Sequence, residues 1–185
     1  MASVLVPLAP GFEDIEATTI VDILRRAGIE VVTAGLLPGL IEGSRGTRVQ
    51  PDALLDDVLQ RDFDMIALPG GLPGANHLRD DARVIGLIKR LAAGGRYTAA
   101  VCAAPIALAA AGELAGRRAT SYPGFIDKLG LADTTCVDDP VVVDGKVVTS
   151  RGPGTAMDFA LMLVELLAGR GKREQVEAGL MRPAI

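Results

Sequence analysis

Short apolar runs that read as strands alternate along the chain with amphipathic stretches that read as helices. This alternation limits the fold more than any other feature. Val4-Leu5-Val6-Pro7-Leu8 is the first such run, and Glu13 to Ala27 follows with helical spacing, Ile15, Thr19, Val21, Ile23 and Leu24 supplying apolar faces. Gly28 suits a left-handed helix end, and Ile29 to Ala34 is the next strand. The pattern repeats: strand Asp64–Leu68, helix Asp81–Ala93 stopped by Gly94-Gly95, strand Tyr97–Val101, helix Ala104–Ala111, and a final helix Thr155–Leu167. Small hairpins are expected over Gly39–Pro51 and over Val141–Thr149, the second turning at Asp144-Gly145. Apolar β runs joined through helices predict an α/β fold, a mostly parallel sheet covered by helices on both faces.

A chain of 185 residues without linker, repeat or low-complexity segment is expected to form one domain over residues 1–185. Hydrophobic residues make up 49% and aromatic residues 3%, so the core must be mainly Val, Ile, Leu and Ala. Disorder is excluded by this composition. The net charge of −4 and scarcity of aromatics argue against a nucleic-acid partner or an anionic membrane surface. No basic leader opens the chain, and the most apolar stretch, Tyr97 to Ala111, holds Pro105 and is too short to span a bilayer. Two cysteines cannot make a disulfide framework, which points to a reducing cytoplasm.

In an open α/β sheet, ligands bind beyond the carboxyl ends of the strands where the winding reverses. That directs attention to Ala9–Glu13, Pro69–Pro73 and Val101–Pro105. Cys102 lies at the junction of a buried strand and a helix, with small Ala103 and Ala104 permitting a sharp turn and Pro105 suited to the first helical turn. The arrangement imitates a nucleophile elbow with sulfur in place of a hydroxyl, and the helix end would lower the thiol pKa. The plain alternative is a small buried core cysteine. Gly70-Gly71 lets backbone approach a ligand, and the N–H groups of Gly71 and Ala103 could form an oxyanion pair. Read plainly, Pro-Gly-Gly is only a tight turn.

Glu13, Asp14 and Glu16 complement a helix dipole. Glu16 could also point toward Cys102; a carboxylate there would raise the thiol pKa, so the pair works only if Glu16 keeps its proton and donates to sulfur. A raised Glu16 pKa and a depressed Cys102 pKa are expected. His77, the one histidine, reads as a surface residue, and Cys136 as a structural strand residue. No metal-ligand spacing, phosphate loop or dinucleotide fingerprint occurs, so no metal or cofactor is expected.

The segments Leu8–Ala17, Asp22–Gly28, Leu68–Gly71, Val101–Pro105 and Thr149–Thr155, in order over nearly the whole chain, resemble the ThiJ/PfpI superfamily, and within it the branch of the Parkinson-disease protein deglycase and its bacterial homologues. The resemblance implies a flavodoxin-like three-layer sandwich and a homodimer. It implies a reactive cysteine, matched by Cys102, with a protonated glutamate partner, matched by Glu16. It implies an anion pocket near the dimer interface, matched by Arg26 and Arg45, with Pro153 matching a residue near the partner's pocket. Family members convert methylglyoxal and glyoxal to hydroxy acids without a cofactor; deglycation, chaperone activity and protection from oxidative stress are also ascribed to them. Tyr122 stands where several members carry a histidine, and Gly43 where they carry a further cysteine.

Two functions follow as expectations. One is a cofactor-free glyoxalase or deglycase acting on small aldehydes or glycated adducts, with Gly70 and Tyr122 also lining the pocket. The other is an oxidative-stress sensor or chaperone working through oxidation of Cys102. A peptidase of the intracellular branch would need histidine directly after the cysteine, where this chain has Ala103. An amidotransferase would need a later His and Glu pair, and His77 precedes Cys102.

Overall fold

The computed structural model describes residues 1–182. Its elements run β1 (Ser3–Leu8), α1 (Asp14–Arg26), β2 (Glu30–Gly35), β3 (Ile41–Glu42), β4 (Arg48–Val49), β5 (Ala53–Leu54), α2 (Leu55–Val58), β6 (Met65–Leu68), α3 (Gly74–Asp80) and α4 (Ala82–Ala93). They continue with β7 (Tyr97–Val101), α5 (Pro105–Ala111), β8 (Arg118–Ala119), β9 (Thr135–Cys136), β10 (Val141–Asp144), β11 (Val147–Ser150), α6 (Ala156–Ala168) and α7 (Arg170–Gly179).

Seven strands form one sheet in the order β10-β11-β7-β6-β1-β2-β5. All neighbours pair in parallel except β10 with β11. Helices α1 and α6 pack together with α7 against α6, while α3, α4 and α5 form the other layer. This is the mostly parallel α/β sandwich that the alternation predicts. The chain winds from β1 to β2 on one side and then crosses to β6 on the other, so the reversal falls at β1. Loops following β1, β6 and β7 therefore meet above three adjacent strands.

The strands supply a dry aliphatic floor: Val4, Leu5, Val6, Met65, Ile66 and Leu68 are fully buried. Three of the four phenylalanines, Phe12, Phe63 and Phe159, are also fully buried.

Three details differ from the sequence expectation. The buried stripe of α1 is Glu16, Ala17, Ile20, Ile23 and Leu24, and Ile15 is 55% exposed. Helical spacing alone leaves the phase of the stripe open by one residue, and here a carboxyl occupies the inward place. The second hairpin turns one residue later, since Asp144 pairs with Val147 and leaves Gly145-Lys146 as the turn. Gly145 has φ of +59°, the glycine-first pattern of a type II′ turn. The short elements α2, α3, β5 and β8, and the helix α7, had no expectation. Helix α7 is polar nearly all round and buries only Val176, so it carries little periodic signal.

Candidate active site

Cys102 has φ of +63°, a left-handed conformation that costs a non-glycine residue energy and persists only when its surroundings dictate it. The surroundings here are main-chain hydrogen bonds. The Cys102 N–H donates to the Ser150 carbonyl at 2.9 Å, and the Tyr122 N–H donates to the Cys102 carbonyl at 2.8 Å. The end of β11 and the loop after β8 thus hold the peptide from both sides. Pro105 opens α5 directly behind it. Cys102 is 9% exposed as a residue, and the N–H groups of Gly71 and Ala103 act to lower the thiol pKa.

Glu16 occupies the first turn of α1 with no exposed surface. Its Oε2 accepts the Gly70 N–H at 2.8 Å. Oε1 has no well-formed hydrogen bond; the Cys102 thiol is the other polar group that interacts with the carboxyl, off ideal alignment. Gly70 separates the two: a methyl there would lie 2.7 Å from Cys102 Cβ and 2.8 Å from Glu16 Oε2. Gly71, at φ +87°, is pressed so closely on the loop before α1 that a methyl would lie 2.3 Å from the Glu13 nitrogen.

Burial pushes the Glu16 carboxyl up to about 7, against the Gly70 hydrogen bond and the thiol contact, with Glu13 adding a smaller upward push. The neutral acid expected from sequence is therefore the favoured form up to neutrality. The thiol differs from expectation. Burial first, then the charge of an ionised Glu16, push it up to about 12, and the N–H groups of Gly71 and Ala103 offset only part of this. Helix α5 has seven residues, too short to outweigh the desolvation of a sulfur this enclosed. The pushes from Glu16 exist only while it is charged; a protonated Glu16 removes them. The two groups thus share protons, and the first leaves the pair at about pH 7.

This coupling sets a pH dependence of stability. Between the ordinary value of 4.5 and about 7, folded Glu16 holds a proton that the unfolded chain releases, so its contribution becomes less favourable as pH rises through that window and is constant above it. A tenfold change in proton affinity is worth roughly 1.4 kcal/mol, so the full cost is at most roughly 3 to 4 kcal/mol. Glu16→Gln is expected to be more stable than the parent at pH 8, with the advantage shrinking toward pH 4. Urea unfolding at the two pH values checks it, and a pH-independent difference would contradict the assignment.

The remaining expected residues divide. Tyr122 stands next to Cys102 through its backbone. Pro153 opens a short 3-10 turn just after β11, where Thr155 Oγ1 lies 2.7 Å from Ser150 Oγ. Arg45 sits in the β3–β4 turn, above the start of α1, and its N–H donates to Asp14 at 2.9 Å. Arg26 is elsewhere, roughly 15 Å along α1 from Glu16 at 1.5 Å per residue, and it pairs with Asp22 at 2.7 Å. A single chain does not bring Arg26 to the sulfur. His77 is exposed on α3 with Nδ1 3.1 Å from the Pro10 carbonyl, and Cys136 is exposed on β9.

Sequence reasoning missed how Glu13 and Asp14 work. Asp14 accepts the N–H groups of Arg45 and Thr47, and Glu13 accepts the Ser44 hydroxyl at 2.9 Å. Together they fasten the β3–β4 turn onto the first turn of α1. Among the described residues, no three His, Cys, Asp or Glu side chains gather as a metal site, and no helix is long and apolar enough to cross a membrane.

The fold and the site's geometry can be set beside known proteins. The DJ-1/PfpI family model matches residues 2–166. This chain belongs to the DJ-1/PfpI family. It is 45% identical over 181 residues to Protein dj-1beta of Drosophila melanogaster, covering 97% of this chain and 96% of that one. It is 38% identical over 171 residues to the glutathione-independent glyoxalase DJR-1.2 of Caenorhabditis elegans, covering 92% and 91%. A solved structure of oxidized Toxoplasma gondii DJ-1 superposes with a TM-score of 0.94 at 39% identity, covering all of both chains. Some DJ-1/PfpI relatives are longer: the chain spans 46% of Protein DJ-1 homolog A of Arabidopsis thaliana.

Proposed function

We propose that this protein is a cofactor-free glyoxalase of the deglycase type, converting 2-oxoaldehydes such as methylglyoxal to 2-hydroxy acids through Cys102. The observation that carries the reading is the pairing of a buried carboxyl, poised near neutrality, with a thiol on the Cys102 elbow. The DJ-1/PfpI relative named as a glutathione-independent glyoxalase supports the same reaction class.

The chemistry follows from the shared protons. Sulfur, having given its proton to Glu16, attacks the aldehyde carbon, and the Glu16 proton passes to the carbonyl oxygen to give a hemithioacetal. The Glu16 carboxylate takes the proton from that carbon and returns it to the neighbouring carbon, while the hemithioacetal hydroxyl proton passes to the former ketone oxygen, turning the ketone into an alcohol and the hemithioacetal into a thioester. The Gly71 and Ala103 N–H groups stabilise the oxygen charge that develops between these steps. Water cleaves the thioester, releasing lactate and restoring the thiol. Purified protein with methylglyoxal and no added glutathione is expected to form lactate; no lactate above the buffer rate would overturn the reading.

The site also favours a second role, oxidation of Cys102 to a sulfinate in an oxidative-stress response. The same N–H groups would hold the new oxygens, and a DJ-1/PfpI relative of this fold has been solved in an oxidized form. Intact mass after mild peroxide should show two oxygens placed on Cys102. A homodimer and a cytoplasmic location complete the proposal, as does a small aldehyde or glycated adduct as the partner molecule.

A further inference from the structure

Aromatic surface is scarce in this protein. The chain has four phenylalanines, two tyrosines and no tryptophan. Phe12, Phe63 and Phe159 are buried, and Phe125 and Tyr97 are half-buried. Tyr122 alone is exposed, at 49%, and it is the aromatic residue bonded to the reactive cysteine, its N–H on the Cys102 carbonyl at 2.8 Å. Its ring is not free to fold away. One edge meets Phe125 at 6.2 Å between centroids and 81° between planes, and a methyl placed on Gly152 would come within 3.3 Å of Cδ2. The ring is held by these two contacts and leaves half of its surface uncovered. The glycine loop supplies another apolar side chain: Leu72, directly after Gly71, is 50% exposed. Cys102, a residue only 9% exposed, thus has two half-exposed apolar residues attached to its surroundings, Tyr122 through the bond to its carbonyl and Leu72 through the glycine loop.

Covalent attachment at sulfur fixes where the rest of a substrate must go, since a substituent on the second carbonyl leaves the elbow within a few bonds. A methyl group covers little of either side chain. An aryl group would lie on the open face of Tyr122, with a ring preference of the kind aromatic pairs show. We infer that the site selects 2-oxoaldehydes carrying an aryl or extended apolar substituent, with Tyr122 as the specificity-determining residue and Leu72 assisting. This rests on the glyoxalase reading and narrows its substrate class.

The test compares phenylglyoxal with methylglyoxal, reading mandelate and lactate. The ratio of kcat/KM values is expected to favour phenylglyoxal by about tenfold or more, the scale on which an apolar pocket discriminates. Tyr122→Ala should bring that ratio down about tenfold, and Tyr122→Phe should keep it, since the ring face and not the hydroxyl does the selecting. A parent ratio near one, an unchanged ratio in Tyr122→Ala, or a lost preference in Tyr122→Phe would each overturn the inference. A second readout separates it from the glyoxalase reading. Alkylation of Cys102 by phenacyl bromide and by bromoacetone, each normalised to a free thiol, needs no turnover. If neither aldehyde is converted, the glyoxalase reading falls. A phenacyl preference lost in Tyr122→Ala would then still uphold the apolar wall, and its absence would remove that too.

Discussion

Cys102→Ser is expected to lower lactate formation from methylglyoxal by at least about a thousandfold, as loss of a covalent nucleophile does. Serine is close to cysteine in size and can adopt the same elbow, so the fold should survive with little change in unfolding midpoint. What goes is an atom able to surrender its proton to Glu16. A thiol pushed up to about 12 by burial and by a charged neighbour still ionises far more easily once that neighbour is neutral, whereas a serine hydroxyl does not. Cys136→Ser is the matched control, because Cys136 is exposed on β9 away from the glycine loop. Retention of more than a tenth of the parent rate in Cys102→Ser would move the chemistry to another residue.

Gly70→Ala should be nearly as damaging by another route. The added methyl would stand 2.7 Å from Cys102 Cβ, 2.8 Å from Glu16 Oε2 and 2.9 Å from the Val101 carbonyl oxygen. Two of those neighbours sit on a backbone fixed in the sheet and elbow, so the carboxyl and thiol must be driven apart. A misplacement of about 1 Å between reacting groups can cost about a hundredfold, and crowding a packed interior costs roughly 1–3 kcal/mol. Both effects are expected, read as kcat/KM and as a lower urea midpoint. Gly86→Ala gives the contrast: Gly86 lies on α4 with open space where the methyl would go, and alanine there should stabilise the helix slightly. A Gly70→Ala enzyme with parent-like kcat/KM would show that the pair tolerates separation.

Most of the architecture was legible because the strands and long helices carry strong periodicity, and the three loops at the carboxyl ends of β1, β6 and β7 follow from the sheet rule alone. Glu16 was legible as a candidate through its place at a helix start, although Ile15 beside it had the better claim to the inward face by hydropathy. The sense of the Cys102 shift was not legible. A sequence displays the helix that could lower a thiol pKa, but the desolvation that raises it depends on how completely Gly70, Gly71 and the loop before α1 close over the sulfur. The clamp of Glu13 and Asp14 on the β3–β4 turn was hidden for a similar reason. Its acceptors and donors are about thirty residues apart and meet only after the hairpin folds back, and acids at a helix start already have a sufficient local explanation.

The place of β1 has a consequence for how the protein comes into being. It precedes the other strands of the sheet along the chain, yet it ends in the middle of the sheet between β2 and β6. One of its edges therefore waits unpaired until Met65–Leu68 has been synthesised, and Cys102 is made later still. The nascent chain passes through a long interval with an apolar, unfinished sheet and no assembled chemistry. The elbow around Cys102 thus arrives only with completed long-range pairing, so a half-made polypeptide carries an aggregation hazard well before it carries that thiol.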